Sequence, residues 1–211
     1  VTKLVLASTS PARLRLLRDG GIDPITIAPG VDEELLTNNA LQSGEISNTA
    51  DMVLLLAKAK AEAVLNHPDA QGALIIGCDS SLDLDGESLG KPHEADVAIE
   101  RWRSMRGRSG RLYTGHWLID NRDSQTTGKS VGKATNTTVH FANVTDDEII
   151  AYVGTGEPLQ VAGAFTIDGL GGAFIRAIEG DSHTVVGLSL ATLRELCIKL
   201  GIDYPSLWTA K

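Results

Sequence analysis

Several short clusters in this chain carry residue types able to do chemistry. Asp79 follows an apolar run at residues 73–78. In open α/β sheets, ligands bind beyond the carboxyl ends of strands, so an acid there is a candidate metal ligand or general base. It is equally suited to start a turn before Ser80-Ser81. Ser8-Thr9-Ser10-Pro11-Ala12-Arg13 sits where a strand gives way to a helix. Free N–H groups at a helix start attract anions, and hydroxyls plus a guanidinium would complete a phosphate grip. The plainer reading is a capped helix with a surface arginine. Lys91, in Leu89-Gly90-Lys91-Pro92, is either aimed by its rigid neighbours or a surface lysine. Lys58 and Lys60 share an apolar helical stretch, so one faces solvent and the other can reach inward. Glu33 lies in the acidic run Val31-Asp32-Glu33-Glu34, either a solvated loop or a source of hard oxygen for Mg²⁺.

Other motifs fail on spacing. Gly128-Lys129-Ser130 lacks the glycine a phosphate-binding loop needs at position 123, which is Asp123. Gly154-Thr155-Gly156 and Gly169-Leu170-Gly171 fail the dinucleotide pattern at Leu159 and Phe174. There is no Gly-x-Ser-x-Gly elbow, and the five histidines show no metal-ligand spacing.

The elements that must position these clusters follow from periodicity and punctuation. Strands are expected at 3–7, 25–28 and 73–78. Helices are expected at 11–19, with Ser10 as N-cap and Gly20 as stop, and at 47–66, where Met52, Leu55, Leu56, Ala59 and Ala63 recur at helical spacing. Residues 32–45 read as polar and irregular. Asp85-Gly86 marks a hairpin between 82–84 and 87–89. A helix at 94–105 closes at Gly107, and long strands are expected at 112–120 and 126–141. Thr145-Asp146-Asp147-Glu148 is a capping box opening a helix. Residues 161–178 read as two strands around Asp168-Gly169, and a last helix spans 189–200 with Gly201 as its stop. Strands alternating with helices, then hairpins, predict an α/β fold with a mixed sheet.

Composition sets the outer limits. The chain has 211 residues, enough for one large domain or two joined lobes. Aromatic residues are 4%, which predicts a core mostly of Leu, Val, Ile and Ala. The net charge of −8 argues against direct DNA or RNA binding, which needs a basic footprint. Two cysteines, Cys78 and Cys197, make no disulfide framework. No run approaches eighteen apolar residues, so no membrane span is expected. The first ten residues do not read as a signal peptide, so the expected location is cytoplasmic and the sequons at Asn136 and Asn143 are idle.

The order of the clusters resembles the Maf family, once called septum-formation inhibitors and now regarded as nucleoside triphosphate pyrophosphatases. The matching residues are Leu6-Ala7-Ser8-Thr9-Ser10-Pro11-x-Arg13, Val31-Asp32-Glu33, Leu56-Ala57-x-x-Lys60-Ala61, Gly77-Cys78-Asp79-Ser80, Gly90-Lys91-Pro92, Ala162-Gly163-Ala164-Phe165 and Val186-Gly187-Leu188. The resemblance covers nearly the whole chain. It implies one domain over 1–211, with a mixed twisted β-sheet, flanking helices and two lobes around a central cleft, as in ITPase-like proteins. It also implies hydrolysis of a (d)NTP to the monophosphate and pyrophosphate, clearing non-canonical or surplus nucleotides, with a link to cell-division arrest. The implied catalytic residues are Asp79, Lys60 and Lys91. Ser8, Ser10, Arg13 and Ser80 would bind substrate, and Glu33 with Asp79 would hold a divalent metal, Mg²⁺ or Mn²⁺. Homodimers are common in the family. Alternatives are a dTTP/UTP-specific enzyme and a non-catalytic nucleotide-binding regulator of cell division. Departures from the family pattern at Ala12, Ser80, Gly110, Val161 and Asp168 leave the nucleobase open.

Overall fold

The computed structural model of the chain describes residues 1–123 and 129–209. Its contacts divide into two compact units, each drawn from separate stretches of chain. The first holds Val1–Asp79, Thr114–Thr135 and Gly187–Lys211; the second holds Ser80–Tyr113 and Asn136–Val186.

Among the described residues, seven strands make one mixed sheet. They are β1 (Leu4–Ala7), β2 (Ile25–Thr26), β3 (Ala73–Leu84), β4 (Glu87–Leu89), β5 (Ser109–Asn121), β6 (Lys129–Phe141) and β7 (Ile175–Glu179). Their order is β2-β1-β3-β5-β6-β7, with β4 paired to β3. β1 runs parallel to both β2 and β3, while the β3–β4 and β6–β7 pairs are antiparallel. This is the α/β class the sequence predicts. The expected strand at 126–141 corresponds to β6; its first three positions lie outside the described residues.

In the first unit, β1 is buried at every position, as expected of a parallel strand whose crossover connections place helices over the faces of the sheet. It leads into α1 (Pro11–Asp19), which Ser10 caps by accepting the Arg13 N–H at 3.3 Å, with Pro11 in its first turn. The expected strand at 25–28 shrinks to the two residues of β2. Residues 32–45 are not irregular: α2 (Glu33–Ser43) occupies them, opened by the Asp32 carboxylate on the Leu35 N–H and closed by Gly44 at φ 73°. Only Ala40 of α2 is buried, so it carries no apolar stripe to reveal it. α3 is Thr49–Ala63, capped by Asn48. Its buried face is Thr49, Val53, Leu56, Ala57, Lys60 and Ala61, rotated from the stripe that periodicity suggests. The unit closes with α7 (Leu190–Lys199), capped by Ser189 and followed by Gly201 at φ 71°.

The second unit departs from the expected aliphatic core. Trp102, on α4 (Ala95–Met105), is fully buried. Its ring packs edge-on against Phe141, Tyr152 and Phe174 at centroid distances of 5.7, 5.6 and 5.8 Å. Its indole N–H donates to the Ala164 carbonyl at 2.7 Å. The few aromatic residues are thus concentrated where their large areas contribute most. Asp85 and Gly86 take φ 56° and 87°, the primed turn that a tight hairpin needs. Thr145 and Glu148 form the reciprocal capping box of α5 (Asp146–Gly154). α6 (Ser182–Val186) is a short addition.

The two strands expected over 161–178 form only in part: short 3₁₀ turns occupy the stretch before residue 175, and β7 takes up 175–178. One carboxylate explains this. Glu157 accepts from the Thr166 hydroxyl at 2.6 Å, the Tyr152 hydroxyl at 2.9 Å, and the N–H groups of Gly171 and Leu170 at 2.9 and 3.0 Å. Backbone donors satisfied by a carboxylate are lost to a strand ladder. Among the described residues no helix is long and apolar enough to cross a membrane.

Candidate active site

β1 ends at Ala7, whose partner on β3 is Gly77. Ser8 and Asp79 therefore both lie just past the carboxyl end of the β1 pairing. Asp79 is not at a strand end, as the apolar run implies. It lies inside the 12-residue β3, which continues to Leu84.

Strand alternation places Gly77 and Asp79 on one face of β3. Gly77 has no side chain because none fits: a Cβ there would lie 2.1 Å from the Ala57 carbonyl oxygen and 2.8 Å from the Ala61 nitrogen. Gly115 of β5 does the same, with a Cβ position 2.1 Å from the Val53 carbonyl oxygen. Two glycines thus let α3 lie directly on the strands. Lys60, on the same stripe as Ala57 and Ala61, is carried down beside Asp79. Lys58 points away, pairing with Glu62 at 3.9 Å and lying over the Trp117 ring at 5.3 Å.

The result is a charged cluster largely out of solvent. Lys60 Nζ lies 2.6 Å from Asp79 Oδ1 and 2.7 Å from Glu33 Oε1. The Lys60 and Asp79 side chains are 8% and 10% exposed; Glu33, at the start of α2, is 48% exposed. Burial raises the Asp79 carboxyl above its ordinary value; the Lys60 ammonium opposes this and the Glu33 charge adds to it. An acid shifted this way holds a proton more readily than a surface aspartate. Cys78, on the opposite face, is no nucleophile: burial pushes its thiol up to about 12 despite the opposing fields of Arg13 and Lys60.

Arg13 lies within the electrostatic reach of both Cys78 and Asp79. Its direction is set from two sides. Nε donates to the Gly187 carbonyl at 2.7 Å, and Nη1 donates to Ser8 Oγ at 3.3 Å. The Ser8 hydroxyl also accepts the Ser10 N–H at 3.1 Å. The first-unit candidates Ser8, Ser10, Arg13, Glu33, Lys60 and Asp79 therefore form one neighbourhood. Ser80 and Lys91 belong to the second unit, where Lys91 is exposed next to Gly90. The Gly90 carbonyl is held by the Gly163 N–H at 3.2 Å and by the Arg101 guanidinium.

Among the described residues no group of three or more His, Cys, Asp or Glu converges as a metal cage. The donor set is still of the right kind. Mg²⁺ and Mn²⁺ are commonly held by one or two carboxylates, with substrate phosphates and water completing the shell. Asp79 and Glu33, converging on one cation already, fit that pattern.

Three glycines contribute without a chemical signal of their own. Gly187 and Gly77 figure only as parts of motifs, although the Gly187 carbonyl receives the Arg13 Nε–H and Gly77 seats α3. Gly115 figures in none, because its effect, like that of Gly77, is the absence of a side chain.

A family model described as "Maf-like protein" matches residues 3–200. A nucleoside triphosphate pyrophosphatase of Leifsonia xyli subsp. xyli is 53% identical over 209 residues, covering 98% of this chain and 96% of the relative. One from Streptomyces avermitilis is 50% identical over 210 residues, at 99% and 96% coverage. One from Mycobacterium marinum is 44% identical over 216 residues, at 100% and 98% coverage.

Proposed function

The chain belongs to the Maf-like protein family, and from that premise we propose that it is a nucleoside triphosphate pyrophosphatase working at the Asp79–Lys60–Arg13 neighbourhood. The observation that carries the siting is the buried Lys60 ammonium bridging Asp79 and Glu33. Such a cluster is costly to bury and is retained where charge is used.

The reaction replaces the bond between the α-phosphorus and its bridging oxygen with a bond to water oxygen. Pyrophosphate leaves and the water loses a proton. In this reading Asp79, its carboxyl raised by burial, takes that proton. Lys60 and Arg13 face the phosphate oxygens and offset the charge that spreads over them, and being held in advance they need little reorganisation. The first turn of α1, with Ser8 and Ser10, offers hydroxyls and backbone N–H groups to the same oxygens. Catalytic Lys91 and substrate-binding Ser80 are roles that the family resemblance supports. A divalent cation held by Asp79 and Glu33 would polarise the phosphoryl oxygens.

The two units are proposed to work as one domain. Neither is a continuous stretch of chain, and the family match runs through both. The product decides the reaction. Incubation of canonical and modified triphosphates with Mg²⁺ or Mn²⁺ is expected to release pyrophosphate and a monophosphate. Orthophosphate with a diphosphate would instead indicate an ordinary phosphohydrolase.

A further inference from the structure

His116 lies on β5 and is fully buried. Its Nε2 is 2.8 Å from the backbone nitrogen of Ser189. A backbone N–H can only donate, so Nε2 must offer a lone pair. The ring proton then sits on Nδ1, which faces the Lys133 carbonyl oxygen at 3.3 Å. The ring is thus a neutral, oriented acceptor.

Ser189 is the N-cap of α7, with its hydroxyl on the Thr192 N–H at 3.1 Å. Two residues earlier, Gly187 takes φ 116°, a conformation that disfavours any other residue. Its carbonyl receives the Arg13 Nε–H at 2.7 Å. Three residues of chain therefore connect the imidazole to the guanidinium. Leu188 between them is fully buried.

We propose that His116 is a positioning residue for the reaction: it anchors the 187–189 strap, and the strap's Gly187 carbonyl aims Arg13. This rests on the reading that Arg13 contacts the triphosphate. His116 touches no substrate. Its acceptor atom sets the strap, and the strap sets the angle at which Arg13 leaves α1. A guanidinium displaced by about 1 Å from its working position costs on the order of 10²-fold in rate.

The test compares variants that differ in one atom's reach. His116→Gln places an amide oxygen near the Nε2 position, whereas His116→Asn is too short to reach the Ser189 N–H. His116→Phe keeps the ring volume and removes the acceptor. Pyrophosphate release should fall about 10²-fold in kcat/KM for Phe and Asn, and by less than about tenfold for Gln. In an Arg13→Ala background, His116→Asn should add little or no further loss, because the guanidinium it aims is gone. Equal kcat/KM for the Asn and Gln variants would overturn the proposal. So would an Asn effect of the same size with and without Arg13, which would mark a merely structural histidine. If His116→Phe does not fold, the Asn and Gln pair still decides. Wild-type turnover in Arg13→Ala alone would instead remove the underlying reading of Arg13.

Discussion

Gly77→Ala should damage both the fold and the site through one added methyl group. The new Cβ would sit 2.1 Å from the Ala57 carbonyl oxygen, 2.8 Å from the Ala61 nitrogen and 3.0 Å from the Ala61 Cβ. Two of these are helix backbone, so no side-chain rotation relieves them. Restoring ordinary contact requires α3 to retreat from β3 by roughly 1 Å. Lys60 lies on the retreating face, and its 2.6 Å contact with Asp79 would stretch past the hydrogen-bond range unless the side chain strains to follow. Overpacking of this kind costs about 1–3 kcal/mol. At about 2–4 °C per kcal/mol for a chain of this size, Tm should fall by roughly 2–12 °C. A misplacement near 1 Å should lower kcat by about 10²-fold. Calorimetry and a pyrophosphate-release assay read the two effects on one preparation. Gly154→Ala serves as the control, because nothing lies within 4 Å of its Cβ position. If Gly77→Ala keeps the wild-type Tm and kcat, the close seating of α3 on β3 is not what holds Lys60 in place, and the reasoning fails.

Asp79→Asn should fold, since the amide is isosteric and Glu33 still pairs with the Lys60 ammonium at 2.7 Å, yet pyrophosphate release should drop by about 10²–10⁴-fold. Turnover near that of the wild type would remove Asp79 from the chemistry. Glu157 contributes to acid stability. Burial pushes its carboxyl up, but the bonds from Thr166, Gly171, Leu170 and Tyr152 outweigh this and hold it below the usual value. A lowered folded-state value means the stabilisation is present above the unfolded carboxyl range, about 4.3, and is lost as pH falls through the folded value. Glu157→Gln should therefore lower Tm at pH 7, with the gap to wild type closing on acidification; a gap independent of pH would refute the assignment. Chelation of divalent cations should abolish turnover and leave the far-ultraviolet circular dichroism unchanged, with Mg²⁺ or Mn²⁺ restoring activity. Full turnover in excess chelator would exclude a metal role for Asp79 and Glu33.

Features written in consecutive residues were legible in the sequence, because their physics is local. The Ser10–Pro11 helix start, the Asp85-Gly86 turn and the Thr145–Glu148 box each need only neighbours to act, and each formed as expected. Asp79 was visible as an acid among apolar residues, and the order of motifs identified the family. α2 was not legible, because a helix with one buried residue leaves no stripe in the sequence. Residues 161–174 do not form the expected strand because the partner that takes their N–H groups at Leu170 and Gly171 is the Glu157 carboxylate, which no propensity encodes.

The candidate site divides along the same line. The sequence determined which groups are present: two acids, serine hydroxyls, a guanidinium and ammonium groups. Spacing left open whether Lys58 or Lys60 turns inward, and only the family resemblance pointed to Lys60. Tertiary structure decided that through bare glycines at 77 and 115, which seat α3 against the strands and bring residues 19 apart to 2.6 Å. It also decided the aim of Arg13, through a carbonyl 174 residues away. Local preference can choose a side chain's chemistry and its helix. Only packing between distant segments can fix which atom it meets.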